Sequence, residues 1–428
     1  VHKVKVLVTD EHYAFPANAV ELTITVHNVN RPPVYGGLQS YTMIEGRPFI
    51  LTLDVDDPDE GDVVSQVLQG LPAGASFSPS KSEIYWLPTK EQIGVHKTKL
   101  AVGDGISNRV FPVSFEVLPT AAYVAPMEPE DIFYVDIQSG SDTNDGQSRT
   151  TAWKTIQRAA NTLKAGQMVL IREGVYFEQI TPKSTGRPHE MIVFKAHPGE
   201  QPVLDGTGND SSPEGFQATS HMVLDGLTFR NYSESIDLRG SGLKDIVIVN
   251  CTIKDAKDYG IYGWNGDRLR VENVVMESLG DRGYYGGGTN VHFYGVKISH
   301  VNGRGISISG SQFDNINILN SEISATDCGI LANARNMLVM NCTIRDNKRV
   351  GVWALGKNVR VANCIISGTT LRRGSAANIS IGRGASIQIL NCVLARSERF
   401  GLYIHDDAKH CRLVNSIIYD NKDLEIRG

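Results

Sequence analysis

The chain has 428 residues, 41% hydrophobic and 21% charged, with 42 glycines, 7% aromatic residues and a formal net charge of −5. That composition excludes disorder as its main state and provides length for more than one buried core. Residues 1–131 carry 9 Lys+Arg against 17 Asp+Glu and residues 132–428 carry 33 against 30, so neither part has the basic balance of a nucleic-acid binder.

No apolar run approaches the ~18 residues that span a bilayer, which argues against membrane insertion. No signal peptide is legible at the N-terminal valine. Six cysteines are too few for a disulfide scaffold of this length.

The first repeat has a long period. Val1-His2-Lys3-Val4-Lys5-Val6-Leu7-Val8-Thr9-Asp10 returns 94 residues later as Val95-His96-Lys97-Thr98-Lys99-Leu100-Ala101-Val102-Gly103-Asp104. Each copy continues through a polar turn into an alternating strand, Val20–Val26 in one and Phe111–Val117 in the other. Residues 1–31 therefore read as the C-terminal part of a truncated module and 33–119 as a complete β-sandwich of short alternating strands.

Glu45-Gly46, the acidic run from Asp54 to Asp62, Leu71-Pro72-Ala73-Gly74, Tyr85-Trp86-Leu87-Pro88-Thr89 and Gly103-Asp104-Gly105 resemble the cadherin-like, immunoglobulin-like repeats of surface proteins. That resemblance implies calcium held by clustered carboxylates, because a hard cation takes six to eight oxygens. The candidate ligands are Asp54, Asp56, Asp57 and Asp59, with Asp62 beside them. Arg31 brings a competing cation to the joint between the modules. Residues 120–131 read as a Pro-containing linker.

From 132 to 428 a shorter period takes over. Asn250-Cys251-Thr252-Ile253 recurs at Asn273, Asn320, Asn341, Asn363, Asn391 and Asn415, with Gly226 and Gly295 in the same slot. The spacings are 24, 23, 22, 25, 21, 22, 28 and 24 residues. Two or three short strands per period and no helical stretch predict an all-β solenoid, a right-handed parallel β-helix. Asn suits a fixed corner because it tolerates left-handed backbone, and its amide reaches the same amide one rung away. Cys251, Cys342, Cys364 and Cys392 follow the corner and read as inward, apolar filler.

About ten residues after each corner a Gly-apolar pair, such as Gly260-Ile261 or Gly305-Ile306, marks a second turn and the next inward position. Ile156, Ala159, Ala160 and Leu163 share one face of a short helix that would cap the first rung. With Tyr134-Val135-Asp136 and Pro198–Gly206, these residues resemble the entry of secreted, pectate-lyase-like β-helix proteins, among them polysaccharide lyases and glycoside hydrolases. The last residues stop where a turn should begin, so the chain reads as a fragment at both ends.

Stacked rungs lie about 4.8 Å apart, so columns carry the chemistry. The outward column beside the Gly-apolar pairs contains Tyr262, Tyr285, Trp353 and Tyr403, with Trp264 nearby, a candidate platform for sugar rings. Next to it, Asp258 and Asp281 occupy adjacent rungs, the close spacing of a retaining glycosidase pair. Arg282 and Arg304 follow, suited to a uronate carboxylate or to the enolate of a lyase. The Asp-Asp and Gly-His-Gly signature of polygalacturonases and the Asp-Pro-His signature of β-helix epimerases are absent.

The reading is a secreted or cell-surface protein that binds and cleaves an acidic or neutral polysaccharide, with the sandwiches as spacers. The rival is a non-catalytic adhesin or structural stalk.

Overall fold

The computed structural model describes residues 2–6, 20–24, 29–59, 61–121, 128–208, 213–240, 242–423 and 426–427. His2–Val6 and Val20–Ile24 form an antiparallel pair, the hairpin that the long repeat predicts. The rest of that module lies outside the described residues.

Residues 33–119 fold as a sandwich. Ser40–Ile44, Asn108–Leu118, Gly94–Gly103 and Ser65–Gln69 make one sheet, and Phe49–Thr52, Glu83–Trp86 and Ser76–Ser78 the other. Tyr41, Phe49, Trp86, Leu100 and Phe115 fill the space between them, each at most 2% exposed.

From Ile132 onward the chain is a parallel β-helix with three sheets. The first runs from Ile132–Val135 to Arg412–Val414, the second from Val175–Tyr176 to Ile417–Tyr419, and the third from Glu214–Gln217 to Ile426–Arg427. The helix Ile156–Thr162 closes the N-terminal end, capped by Thr155 and burying Ile156, Ala159 and Ala160. Inside the third sheet Ile236, Ile261, Tyr284, Ile306, Ile330, Val352, Ile379 and Leu402 stack in register, all at most 2% exposed. Each contributes about 1.5–3 kcal/mol by leaving water.

Two local devices set the rungs. The corner asparagines have φ between 51° and 56° from Asn250 to Asn415, and their amides form a ladder. Asn341 Nδ2 donates to Asn320 Oδ1 at 3.1 Å, Asn363 to Asn341 at 3.3 Å, and Asn391 to Asn363 at 3.2 Å. The glycines of the Gly-apolar pairs do something different from the turn expected of them. Gly260, Gly283, Gly305, Gly329 and Gly351 lie where the chain enters the third sheet, Gly305 and Gly329 inside continuous strands, and a Cβ on any of them would sit 2.4–2.7 Å from a neighbouring atom. For Gly305 that atom is the carbonyl oxygen of Gly329 at 2.6 Å. They are required by close approach between rungs, not by a left-handed turn.

All six cysteines are free thiols, five of them buried, which agrees with the filler reading.

The sandwich is not a free spacer. It is docked along the outer face of the first sheet. Arg47 makes a two-pronged ion pair with Glu272, 3.0 and 3.2 Å. Arg270 holds the same carboxylate at 2.9 Å and donates to the carbonyls of Pro119 and Thr120.

Thr42 receives from Asn315 at its carbonyl and donates its N–H to Asn290, and its hydroxyl meets His292 Nε2 at 3.1 Å. Arg335 reaches Gly36 O and Asp54 Oδ2, both at 2.8 Å. Arg360 pairs with Glu83. Such an interface keeps its buried charges because each has a partner.

Candidate functional site

With the first sheet covered by the sandwich, the third sheet's outer face carries the candidate residues. The outward column runs in strict register as Gln217, Asp237, Tyr262, Tyr285, Ser307, Leu331, Trp353, Ser380 and Tyr403. One strand start away, a second column reads Glu214, Glu234, Tyr259, Arg282, Arg304, Cys328 and Val350. Its character changes from acidic to basic along the coil.

The rings expected to form a platform form a cluster instead. Tyr262 and Tyr285 stack on each other, 5.4 Å apart and 3° from parallel. Tyr259 packs against both, and Trp264 meets Tyr285 edge-on at 5.3 Å. The Arg239 guanidinium lies 4.9 Å from the Tyr262 ring and that of Arg282 lies 3.8 Å from Tyr285.

Rings stacked along the coil axis turn edges and hydroxyls outward, so this cluster offers polar rims rather than open faces. Trp353 stands apart from it. Its column neighbours are Leu331 and Ser380, and it lines a cavity of about 360 Å³ with Arg349, Leu371 and Arg373. Tyr403 tilts against Phe400 two rungs further on.

At the acidic end, carboxylate oxygens of Glu214, Glu234 and Asp237 lie within 4.8 Å of one another. Arg239 binds all three, Glu234 at 2.7 Å and Asp237 at 2.8 Å. Burial pushes the Glu234 carboxyl up to about 7, against the pull of Arg239 and with help from the neighbouring carboxylates.

Sequence reasoning missed this group. Glu234-Ser235-Ile236-Asp237 lacks the glycine that marks the later rungs. The inward Ile236, which pairs with Ile261, was the signal that would have extended the column upward.

The predicted catalytic residues lie just below. Asp281 and Arg282 both donate their N–H to the Asp258 carbonyl, which puts Asp258 and Asp281 on adjacent rungs. Asp258 is exposed, and Asp281 leans toward Arg282 at 3.7 Å. Arg282 and Arg304 are register partners, and Arg304 donates to Ser307 Oγ at 3.4 Å.

Of the four candidate calcium ligands, the structure brings only two together. Asp54 faces Arg335 across the domain joint, and Asp56 is exposed and caps the N–H of Asp57. Asp57, Asp59 and Asp62 converge, and Asp57 Oδ2 is buried without a hydrogen-bond partner. Asp59, 3% exposed, already accepts the Arg31 N–H at 2.7 Å and its guanidinium at 2.8 Å, so the turn fits a cation only in part. Among the described residues no helix is long and apolar enough to cross a membrane.

Comparison with known proteins follows the same division. Residues 133–279 match a family model described as a Pel9A-like, right handed beta helix region, residues 284–418 one described as a right handed beta helix region, and residues 32–118 one described as a putative Ig domain. Among solved structures, pectate lyase Pel9A is 17% identical, covering 65% of this chain and 78% of that one with a TM-score of 0.49. The GH136 lacto-N-biosidase from Eubacterium ramulus is 11% identical, covering 69% and 68% with a TM-score of 0.48.

The uncharacterized protein YwoF of Bacillus subtilis (strain 168) is 34% identical over 76 residues, 18% of this chain and 16% of that protein. The chain thus spans about a sixth of the length of this curated relative. On its sequence repeats, its three stacked sheets and these matches, the chain carries a right-handed parallel β-helix, Pel9A-like in its first part, with an Ig-like domain ahead of it.

Proposed function

We propose that the chain is a secreted or cell-surface protein that binds an acidic or neutral polysaccharide along the outer face of the third sheet and cleaves its glycosidic bonds. The observation that supports this reading is the carboxylate group at Glu214, Glu234 and Asp237, set beside a ring cluster and two arginines in one column. Its oxygens are within 4.8 Å, closer than the roughly 6.5–9.5 Å that inversion needs for an intervening water, so the spacing fits retention. Glu234, whose carboxyl burial raises to about 7, is the proton donor to the leaving oxygen. Asp237, paired with the Arg239 guanidinium at 2.8 Å, is the nucleophile.

In the first step the glycosidic C–O bond breaks as the Asp237 oxygen bonds to the anomeric carbon and the Glu234 proton passes to the departing sugar. In the second step Glu234 takes a proton from water, whose oxygen bonds to the anomeric carbon as the bond from that carbon to Asp237 breaks, which releases the product and restores both carboxyl groups. Arg282 and Arg304 would hold a carboxylate on the sugar, and Asp258 and Asp281 border the same groove. Calcium belongs to this reading only at the turn of Asp57, Asp59 and Asp62. A melting temperature that rises with calcium and falls with chelator supports it there, and indifference removes it.

The test is a polysaccharide panel assayed for reducing ends and for unsaturated-uronate absorbance. Release of reducing ends without that absorbance, lost by about 10²-fold or more in Glu234→Gln with binding retained, is the expected result. Unsaturated products turn the reading to a lyase. Retention of glycan with no release by any substrate turns it to an adhesin.

A further inference from the structure

We propose that the cavity beside Trp353 is a separate subsite that takes one anionic sugar ring, carboxylated or sulfated, of the bound glycan. The proposal rests on reading the third sheet's outer face as glycan-binding. The cavity exists because the rung from Asn363 to Asn391 is 28 residues long, and its extra residues form a loop over the outer face between the second and third sheets.

That loop is fastened to the coil on both sides. Leu371 donates its N–H to the Lys348 carbonyl at 2.8 Å, Arg372 pairs with Glu398 at 2.7 Å, and Arg399 donates to the Gly374 carbonyl. The wall is therefore preformed.

Three features define the occupant. First, about 360 Å³ is near the low end of ligand pockets, which run from about 300 to 1,000 Å³, and suits a single ring rather than a length of chain. Second, Trp353 is half-buried in the wall. Among the described residues no other ring or guanidinium stacks on it, in contrast to Tyr262 and Tyr285. An indole face of this kind is the surface on which the apolar side of a pyranose packs.

Third, the wall carries two guanidiniums and no carboxylate. Arg349 is fixed by Asp327 through bonds of 2.8 and 2.7 Å, which neutralises much of its charge. Arg373 has no ion-pair partner among the described residues and leaves the cavity positive. A planar guanidinium beside a stacking surface selects a carboxylate or sulfate held in the plane of the sugar. Trp353 lies three rungs from Tyr285, about 14 Å along the coil, so one extended glycan reaches both places.

The experiment is isothermal titration of the purified chain with three oligosaccharides of equal length: oligogalacturonate, a sulfated galactan and a neutral cello-oligosaccharide. Arg373→Ala, on an exposed loop, is expected to weaken the preferred anionic probe by about ten-fold and to flatten its salt dependence, with Arg373→Lys restoring part of the affinity. Trp353→Ala is expected to weaken binding by a similar factor. Whichever anionic probe shows the larger Arg373 effect identifies carboxylate or sulfate as the group read. Anionic probes that bind with the same affinity to the wild type and to both variants overturn the subsite while leaving the rest of the face intact. Failure of every probe to bind overturns the glycan reading and the subsite with it.

Discussion

At the residue scale, two side chains show how environment rather than identity sets behaviour. Asn363 sits at φ 52° and is bonded on both sides, donating to Asn341 and accepting from Asn391. Asn363→Ala places a Cβ residue with no amide in left-handed backbone, and a loss of about 2 kcal/mol is expected in denaturant unfolding. Asn363→Gly keeps the backbone unstrained and should lose clearly less, which separates strain from the ladder.

Glu234 is the second case. Its carboxyl is raised from 4.5 to about 7 by burial. A raised acid contributes stability that is complete below 4.5 and is lost as pH climbs through 7. Wild type should therefore lose stability relative to Glu234→Gln as pH rises over that window. As a proton donor, Glu234 predicts that kcat falls above about pH 7, and that limb should disappear from any residual activity of Glu234→Gln.

At the scale of elements, the third sheet is governed by how closely its rungs approach. Adding one methyl at Gly305 meets the Gly329 carbonyl at 2.6 Å and Ile323 Cγ2 at 2.6 Å, and a backbone oxygen cannot step aside as a flexible side chain does. Gly305→Ala is expected to destabilise the chain by about 1–3 kcal/mol, read as a lower melting temperature.

Gly374, in the loop over the Trp353 cavity, has nothing within 4 Å of a Cβ but a φ of 64°. Its requirement is conformational. The same element-level logic explains the ring cluster. Tyr262 and Tyr285 are register partners, and like residues stacked one rung apart find each other before they find a ligand.

At the scale of the whole molecule, the sandwich and the coil share buried charges. Glu272 is held by Arg47 and Arg270, so Glu272→Ala leaves two buried cations facing each other and should cost about 3–5 kcal/mol. Arg47→Met leaves the Arg270 pair in place and should cost less. The checking measurement is calorimetry, where loss of docking appears as a second, earlier transition.

His292 lies in the same joint. Burial, reinforced by Arg270 and Arg47, lowers it to about 3. The native state thus binds fewer protons than the unfolded chain between about 3 and 6.5. The stability of the joint is complete above 6.5 and declines as pH falls toward 3. His292→Gln should remove that decline, measured as the difference in melting temperature between pH 7 and pH 4.5.

The sequence by itself determined the repeating features. Corner asparagines, inward cysteines and isoleucines and the outward column from Tyr262 to Tyr403 all follow from a period near 23 residues, because stacking converts sequence spacing into vertical alignment; the capping helix is legible separately, from the shared face of Ile156, Ala159, Ala160 and Leu163. What recurs along the chain is legible as a pattern. The tertiary structure alone decided what depends on unlike parts meeting.

Glu214 meets Glu234 and Asp237, whose own rung lacks the glycine signal. Arg239 and Arg282 cover rings that composition presents as open. The sandwich buries Glu272 and His292 across more than two hundred residues of sequence. In each case the deciding quantity is desolvation and pairing between distant side chains, which no local spacing encodes.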